Sequence, residues 1–445
     1  MQLLERIWEA GIVGAGGAGF PAHKKLVQNA ELLLINAAEC EPLLSSDRFA
    51  MRHFSHEIVA ALCQIRQELA IKRVVIGTKA KYVEEIRALK QSIDQQGADI
   101  EIHGSGSYYP AGDEQILIYE VTGQTVPPGG IPLELGIVVS NVMTILHIHD
   151  ALEGKPVTDK YITVTGAVEH PVIVRVPVGT PVADCIAAAG GASVPDYMVI
   201  MGGPMMGRQY SSAQLEDLHI TKSDGGVVVL EKGHYLDVFS NIPVEHIINQ
   251  AKSVCIQCSY CTELCPRYLI GHNMRPHRVM RSIATGTHAE FLEDALLCCE
   301  CGICELYACP MHLSPRRINI YVKNLLRRGG AKVRDKAVHP HHSYMREGRQ
   351  IEQGRLIQRL DLLPYPRQVL EETQCRPAAV CVALRHGIGK EAVPVVAVGD
   401  VVKKGQCIAT VDFSDLGSKL HAPVDGKVTG VDGRIQIQAD WGNGQ

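Results

Sequence analysis

GAGGAGFPAHKK, residues 14–25, decides how the first third of this chain is read. Gly14, Gly16 and Gly19 satisfy G-x-G-x-x-G, a pattern associated with dinucleotide binding. A Rossmann fingerprint needs a strand before those glycines and a helix after them. The preceding LLERIWEAG reads as a helix instead, and only Ile12 and Val13 could be extended. Pro21 stands where a helix would begin, a place that suits its fixed φ and missing N–H. The stretch is therefore expected to present backbone N–H groups and a helix N-terminus to a phosphate, outside Rossmann topology. Lys25, one turn on, would add a point charge. A mobile glycine turn is the plainer alternative for such a motif taken alone.

Working outward, strand-like runs (ELLLINAAE at 31–39, KRVVIG at 72–77, ELGIVVSN at 134–141) alternate with helical patterns over 56–70, 81–93 and 113–123. Residues 1–155 thus form an α/β domain. Over 156–235 the texture changes to short alternating strands with one helix at VADCIAAAGG, a small β-rich module. A helical, cysteine-dense domain follows over 240–335, then an extended connector over 336–378. Residues 379–445 are short strands broken by glycine and proline, a compact β module. At 445 residues, 46% apolar and 21% charged, the chain suits a globular protein of two to four domains. A net charge of −4 argues against nucleic acid, which asks for a concentrated basic face. No run of about 18 apolar residues predicts a transmembrane segment. MQLLERIWEAGIVG does not read as a secretory signal, but as an amphipathic helix with Leu3, Leu4, Ile7 and Trp8 on one side.

Nine of the fifteen cysteines lie between Cys255 and Cys309. So dense a block inside a long chain favours a metal or cluster site over a disulfide scaffold. CIQCSYCTELCP places Cys255, Cys258, Cys261 and Cys265 at C-x2-C-x2-C-x3-C before Pro266. CCECGICELYACP places Cys298, Cys301, Cys304 and Cys309 at C-x2-C-x2-C-x4-C before Pro310. Three closely spaced thiolates reach three irons of one cubane, and in two-cluster ferredoxins the remote fourth comes from the other motif. The expected sets are Cys255, Cys258, Cys261 and Cys309 for one 4Fe–4S cluster, and Cys298, Cys301, Cys304 and Cys265 for the other. Adjacent Cys299 could compete as a ligand. A pair of zinc sites would prefer two separated knuckles around each ion.

Several segments together resemble the flavin-carrying, NADH-oxidising subunit of respiratory Complex I and its relative, the C subunit of the Rnf electron-transport complex. They are GAGGAGFP, NAAECEP (36–42), GSGSYYPAGDE (104–114) and SNVMT (140–144), in the family's order. The resemblance implies FMN contacts for Gly14, Gly16, Gly17, Gly19, Lys25, Asn36, Asn141 and Thr144. Phe20, Glu41 and Glu114 would face NADH, with Glu39 and Gly112 in the same loops. Ala38 stands where the Complex I pattern is acidic, and Gly112-Asp113-Glu114 where it reads Gly-Glu-Glu. Downstream, YITVTGAV and GGPMMG (202–207) resemble the β-grasp ligand-binding module of Rnf C subunits; the Met205–Met206 pair is expected to pack rather than ligate.

The C-terminal GDVVKKGQ and HAPVDGKV turns resemble the barrel-sandwich fold of biotinyl and lipoyl carriers. Asp415 falls where a carrier lysine would stand, so the fold is expected without a swinging arm. This module closes the chain, whereas in Rnf C subunits it precedes the glycine loop. That order resembles the cobalamin reductases of propanediol-utilisation bacterial microcompartments. The resemblance implies NADH, FMN and two 4Fe–4S clusters feeding electrons to a cobalamin. It also implies an adenosyltransferase partner, a possible shell-protein contact, and a cytoplasmic location in or on the microcompartment. The rivals are a subunit of a membrane Rnf-type complex and a non-catalytic electron-transfer or scaffold protein. HPHH (339–342) is read as a solvated loop.

Overall fold

The computed structural model describes residues 2–334, 336–387 and 389–442. The first domain carries β1 (Leu32–Asn36), β2 (Arg73–Lys79), β3 (Glu101–Ser105), the short β4 (Tyr108–Tyr109) and β5 (Ile137–Asn141). β1, β2, β3 and β5 form a wholly parallel sheet in the order β3-β2-β1-β5. Successive side chains of a strand point to opposite faces, and here both faces are covered. Leu33 and Ile35 pack with Ile58, Leu62 and Ile145 of the helices Ser55–Glu68 and Val142–Leu152. Leu32 and Leu34 pack with Leu117 and Ile118 of the helix Glu114–Thr122.

This order corrects one expectation. Four parallel strands placed third, second, first and last make half of a doubly wound dinucleotide-binding sheet. Only the glycine loop departs from that fold: it lies between the helices Leu3–Glu9 and Ala22–Lys25, ahead of β1. Pro21 precedes the second of these, which is a single turn of four residues. The expected helix N-terminus is therefore too short to add much field.

β6 (Asp159–Gly166), β7 (Val172–Pro177), β8 (Tyr197–Met201), β9 (Arg208–Ser211) and β10 (Gly226–Glu231) build most of a six-stranded sheet. Its valines close over the helix Val182–Ala188. Residues 336–378 were expected to be an extended connector and are not. β11 (Ile351–Glu352) pairs with β4, the helix Gln353–Arg359 packs into a shared core, and β12 (Glu372–Gln374) pairs with β7. HPHH is likewise ordered: Pro340–Met345 is a 3-10 turn whose buried His342 stacks on Tyr268 at 4.1 Å. Periodicity cannot find two- or three-residue strands, because alternation needs four or more residues to register.

In the cysteine domain, the helices Val244–Val254, Pro276–Thr285 and Pro315–Arg328 share a core of Ile247, Ala251, Val279, Met280, Ile318 and Val322. The C-terminal module is a sandwich of two small sheets. One runs β13 (Ala379–Ala383), β19 (Arg434–Ala439), β18 (Gly426–Val431), β15 (Val401–Val402); the other β14 (Val393–Pro394), β16 (Cys407–Thr410), β17 (Leu420–His421). Asp415 is paired with Lys390 at 2.7 Å.

Candidate functional site: a glycine turn over the sheet and two sets of thiols

In open α/β sheets, ligands bind beyond the carboxyl ends of the strands where the strand order reverses. Here that point lies between β1 and β5, whose last residues Asn36 and Asn141 pair in register. The glycine loop folds over it. Gly14 N–H donates to the Phe20 carbonyl at 2.8 Å, closing the turn, and Ala15 N–H donates to Thr144 Oγ1 at 2.9 Å. A Cβ on Gly16 would lie 3.4 Å from that of Asn141. Gly17, at φ +106°, faces open space. Gly16, Gly17 and Ala18 are exposed, and their N–H groups have no protein acceptor among the described residues. Exposed, unclaimed N–H groups on a glycine turn make an anion-binding nest. This turn fits the phosphate of a flavin mononucleotide.

The neighbouring loops converge there too. Asn36 Nδ2 donates to the Gly112 carbonyl at 2.7 Å, and Gly112 N–H meets Cys40 Sγ at 3.4 Å. Lys25 and Glu114 form a half-exposed pair at 2.7 Å. Asn141 caps the helix after β5 through Met143 N–H and donates to Asp47. Glu41, expected to face the dinucleotide, and Glu39, expected in the same loops, are turned into protein contacts. Glu39 accepts from Asp47 N–H at 2.7 Å; burial and then the charge of Asp47 push its carboxyl up. Glu41 accepts from Met205 N–H at 2.8 Å and lies 3.4 Å from Tyr109 Oη. Burial raises Glu41 to about 7 against the pull of those donors. A Cβ on Gly203 would fall 2.2 Å from Glu41, so the GGPMMG loop can press on this carboxylate only through a glycine. Met205 is buried, as expected of a packing residue, while Met206 is half-exposed.

The cysteines separate into two groups. Cys255, Cys258, Cys261 and Cys309 line one cavity, together with Ile256, His277 and Met311. Burial and then the neighbouring thiols Cys309, Cys255 and Cys258 raise Cys261 to about 12. Cys265, Cys298, Cys301 and Cys304 lie within electrostatic reach of one another. Cys299 belongs to this second neighbourhood, and its sulfur shares a hydrogen bond with Cys301. The two loops share a backbone form: Gln257 and Ser259 flank Cys258 at φ +54° and +62°, and Glu300 and Gly302 flank Cys301 at +64° and +83°. Non-glycine residues held in the left-handed region are costly and cluster at ligand sites. Four thiols around one cavity fit a 4Fe–4S cubane.

The second group is joined to the first domain by residues that sequence reasoning missed. Tyr109, fully buried, donates from its hydroxyl to the Cys301 carbonyl at 2.8 Å. Arg267 pairs with Asp113 at 2.9 Å and contacts Gln115. Lys79, at the end of β2, ties a different piece to this domain: it donates to the Glu39 carbonyl at 2.9 Å and to Gln353 Oε1, in the 336–378 segment, at 3.1 Å. A tyrosine or lysine in mid-chain carries no spacing signal that could reveal such a partner.

Family models match each part: the Nuo51 FMN-binding domain at residues 7–150, the SLBB domain at 161–209, a 4Fe-4S dicluster domain at 254–314, and the RnfC barrel sandwich hybrid domain at 367–441. Fold and site define a flavin and iron–sulfur electron-transfer oxidoreductase. The chain is 40% identical over 434 residues to cobalamin reductase PduS of Salmonella typhimurium, covering 97% of this chain and 94% of that one. It belongs to the cobalamin reductase PduS family. The C subunit of the proton-translocating ferredoxin:NAD(+) oxidoreductase complex of Clostridium ljungdahlii is 35% identical over 275 residues, 60% of this chain and 56% of that one. Among solved structures, an NAD+-reducing [NiFe]-hydrogenase overlays with a TM-score of 0.49 at 19% identity, over 76% of this chain and 67% of that one.

Proposed function

We propose that this protein moves electrons from NADH to a one-electron acceptor, a cob(III)alamin or cob(II)alamin, in or on a bacterial microcompartment. When bound, FMN takes a hydride as an electron pair and 4Fe–4S clusters carry electrons singly. The residues divide the remaining work. The Gly16–Ala18 turn holds the flavin phosphate, with Gly14 and Gly19 shaping it and Asn36, Asn141 and Thr144 fixing the loops around the ring. Lys25 adds its charge on the flavin side, and Phe20, Gly112 and Glu114 line the side from which a dinucleotide would approach. Cys255, Cys258, Cys261 and Cys309 hold one cluster; Cys265, Cys298, Cys301 and Cys304 hold the other. The observation that carries this reading is the direct bond from Tyr109, in a loop of the flavin domain, to the backbone of Cys301. A bond between the loop of the second thiol set and the domain that bears the glycine turn supports electron passage between them.

The acceptor and the adenosyltransferase and shell partners rest on family membership. The barrel-sandwich module follows the glycine loop, which speaks against a subunit of an Rnf-type pump, in which it precedes that loop. Anaerobic purification with flavin and iron analysis, then NADH titration with and without cob(III)alamin, tests the reading. NADH should bleach the flavin, and cobalamin should restore it. Clusters that NADH reduces and cobalamin never reoxidises would overturn the corrin assignment.

A further inference from the structure

The two thiol sets differ in what covers them. Cys265, Cys301 and Cys304 are buried. Above their loop lies Met205, whose carbonyl and terminal methyl would stand 3.2 and 3.3 Å from a Cβ at Gly302. Tyr109 closes a second side and the Arg267–Asp113 pair a third. Every one of these contacts leads back to the flavin domain or to the β-grasp loop resting on it.

The cavity of Cys255, Cys258, Cys261 and Cys309 opens outward instead. Two of its wall residues, Ile256 and Met311, are 61% and 38% exposed, and Tyr260, next to wall residue Ser259, is 56% exposed. Large apolar side chains gathered around one opening mark a contact surface, where scattered ones would mean nothing. Two basic side chains stand near them. Lys252 stands in the last turn of the helix leading to Cys255. Arg281 lies one turn along the same helix face as His277 of the cavity wall. Neither has an ion-pair partner among the described residues, although Glu263, Glu300 and Glu305 of the same domain are all paired. An apolar centre with an uncompensated charged rim is the form of a transient protein contact.

We propose that this face is where electrons leave, and that it docks an acceptor protein whose own apolar patch is ringed by carboxylates. The patch seats on Ile256, Tyr260 and Met311, and the carboxylates meet Lys252 and Arg281. One electron passes per encounter, so this protein is oxidised by one and the acceptor reduced by one, with no bond made or broken. The inference rests on the oxidoreductase reading above, and its test is made independent of NADH.

The holo-protein is reduced with dithionite, desalted anaerobically and mixed with flavodoxin, an acidic one-electron carrier, or with benzoquinone, a small uncharged acceptor. Lys252→Glu and Arg281→Glu should each slow flavodoxin reduction at least tenfold. Benzoquinone reduction should change less than twofold, and the iron content not at all. In the unaltered protein, the flavodoxin rate should fall steeply with added salt. A flavodoxin rate indifferent to both variants, or an equal loss with benzoquinone, overturns the proposal. Should a variant lose iron, the unaltered protein decides. An aqueous dysprosium chelate should speed the relaxation of one cluster's paramagnetic signal, and excess flavodoxin should protect it. No protection overturns the proposal. Flavin that NADH never bleaches would sink the preceding reading alone.

Discussion

Arg267 follows directly on Cys265-Pro266, yet its guanidinium ends on Asp113 and Gln115 of the flavin domain. Both charged side chains are largely out of water, at 11% and 15% exposure. Arg267→Ala would strand the Asp113 carboxylate, and breaking such a pair from one side costs about 3–5 kcal/mol. The expected result is a clearly lowered midpoint in urea unfolding. Lysine should rescue little of it, because it cannot present a planar fork to two acceptors. Asp113 also caps the helix Glu114–Thr122 through Gln115 and Ile116 N–H, so Asp113→Asn should cost less than Asp113→Ala. Thr144 makes a smaller contribution of the same kind. Thr144→Val leaves Ala15 N–H without its acceptor, a loss of about 1 kcal/mol. Flavin titration of the apo-protein should show FMN binding weakened about fivefold. Neither residue announced itself fully in the sequence. Thr144 was reached through the SNVMT resemblance, and the Arg267 partner not at all, since 154 residues separate the pair.

At the scale of elements, the two cysteine loops form one backbone device used twice. Each carries a pair of left-handed residues around its middle cysteine. At Ser259 the left-handed angle is borne by a residue with a Cβ, and at Gly302 by one without. Ser259→Gly should therefore leave iron content unchanged. Gly302→Val has to hold φ +83° with the Met205 carbonyl 3.2 Å from its Cβ. Iron analysis should find about four irons per chain in place of about eight, the loss of one cubane. The exchange of the fourth ligand gives a sharper test. Cys309→Ser should abolish the signal of the cluster held by Cys255, Cys258 and Cys261, although Cys309 belongs to the other motif. Cys299→Ser should keep both clusters. Much of this was legible, because C-x2-C-x2-C is a local pattern and the loop conformation follows from it. The pieces of the supposed connector were not, because β11 and β12 are too short to show a period.

For the whole molecule, the C-terminal module is a clamp on the glycine turn. A Cβ on Gly19 would stand 3.1 Å from the Cα of Gly387, and Trp8 and Lys24 pack on Phe413. Lys419 pairs with Glu9 at 2.7 Å. Buried Lys222, from the β-grasp module, donates to the carbonyls of Gly11 and Lys419, both at 2.7 Å, and so ties three domains at one ammonium. Around it, burial and then the Lys222 charge lower His386 and His421 to about 3; burial and then Lys160 and Lys222 do the same to His147. A histidine whose folded pKa is depressed contributes stability that is present above its unfolded pKa and lost as pH falls toward the folded one. The window therefore runs from about 6.5 down to about 3. At pH 5 each of the three should cost about 2 kcal/mol relative to pH 7.5. Thermal unfolding followed across that range should show a falling midpoint, and His386→Gln should flatten the fall.

Strand and helix periods, the glycine turn, the cysteine spacing and the order of modules lie along the chain, so the sequence by itself determined them, and with them the cofactor classes. Packing alone decided the rest. It put the parallel strands in doubly wound order, turned Glu39 and Glu41 away from the open pocket, and sealed one thiol set while leaving the other at the surface. It also brought the last module back onto the first twenty-five residues. Those outcomes depend on contacts such as Glu41 with Met205 and Glu9 with Lys419, 164 and 410 residues apart. Side-chain type and spacing act locally. Which buried carboxylate meets which distant N–H is settled only when the domains exclude water from the surfaces between them. GAGGAGFP read as a phosphate turn only in the company of NAAECEP, GSGSYYPAGDE and SNVMT, and its walls were supplied by Asn141, Thr144 and Gly387, from two other parts of the chain.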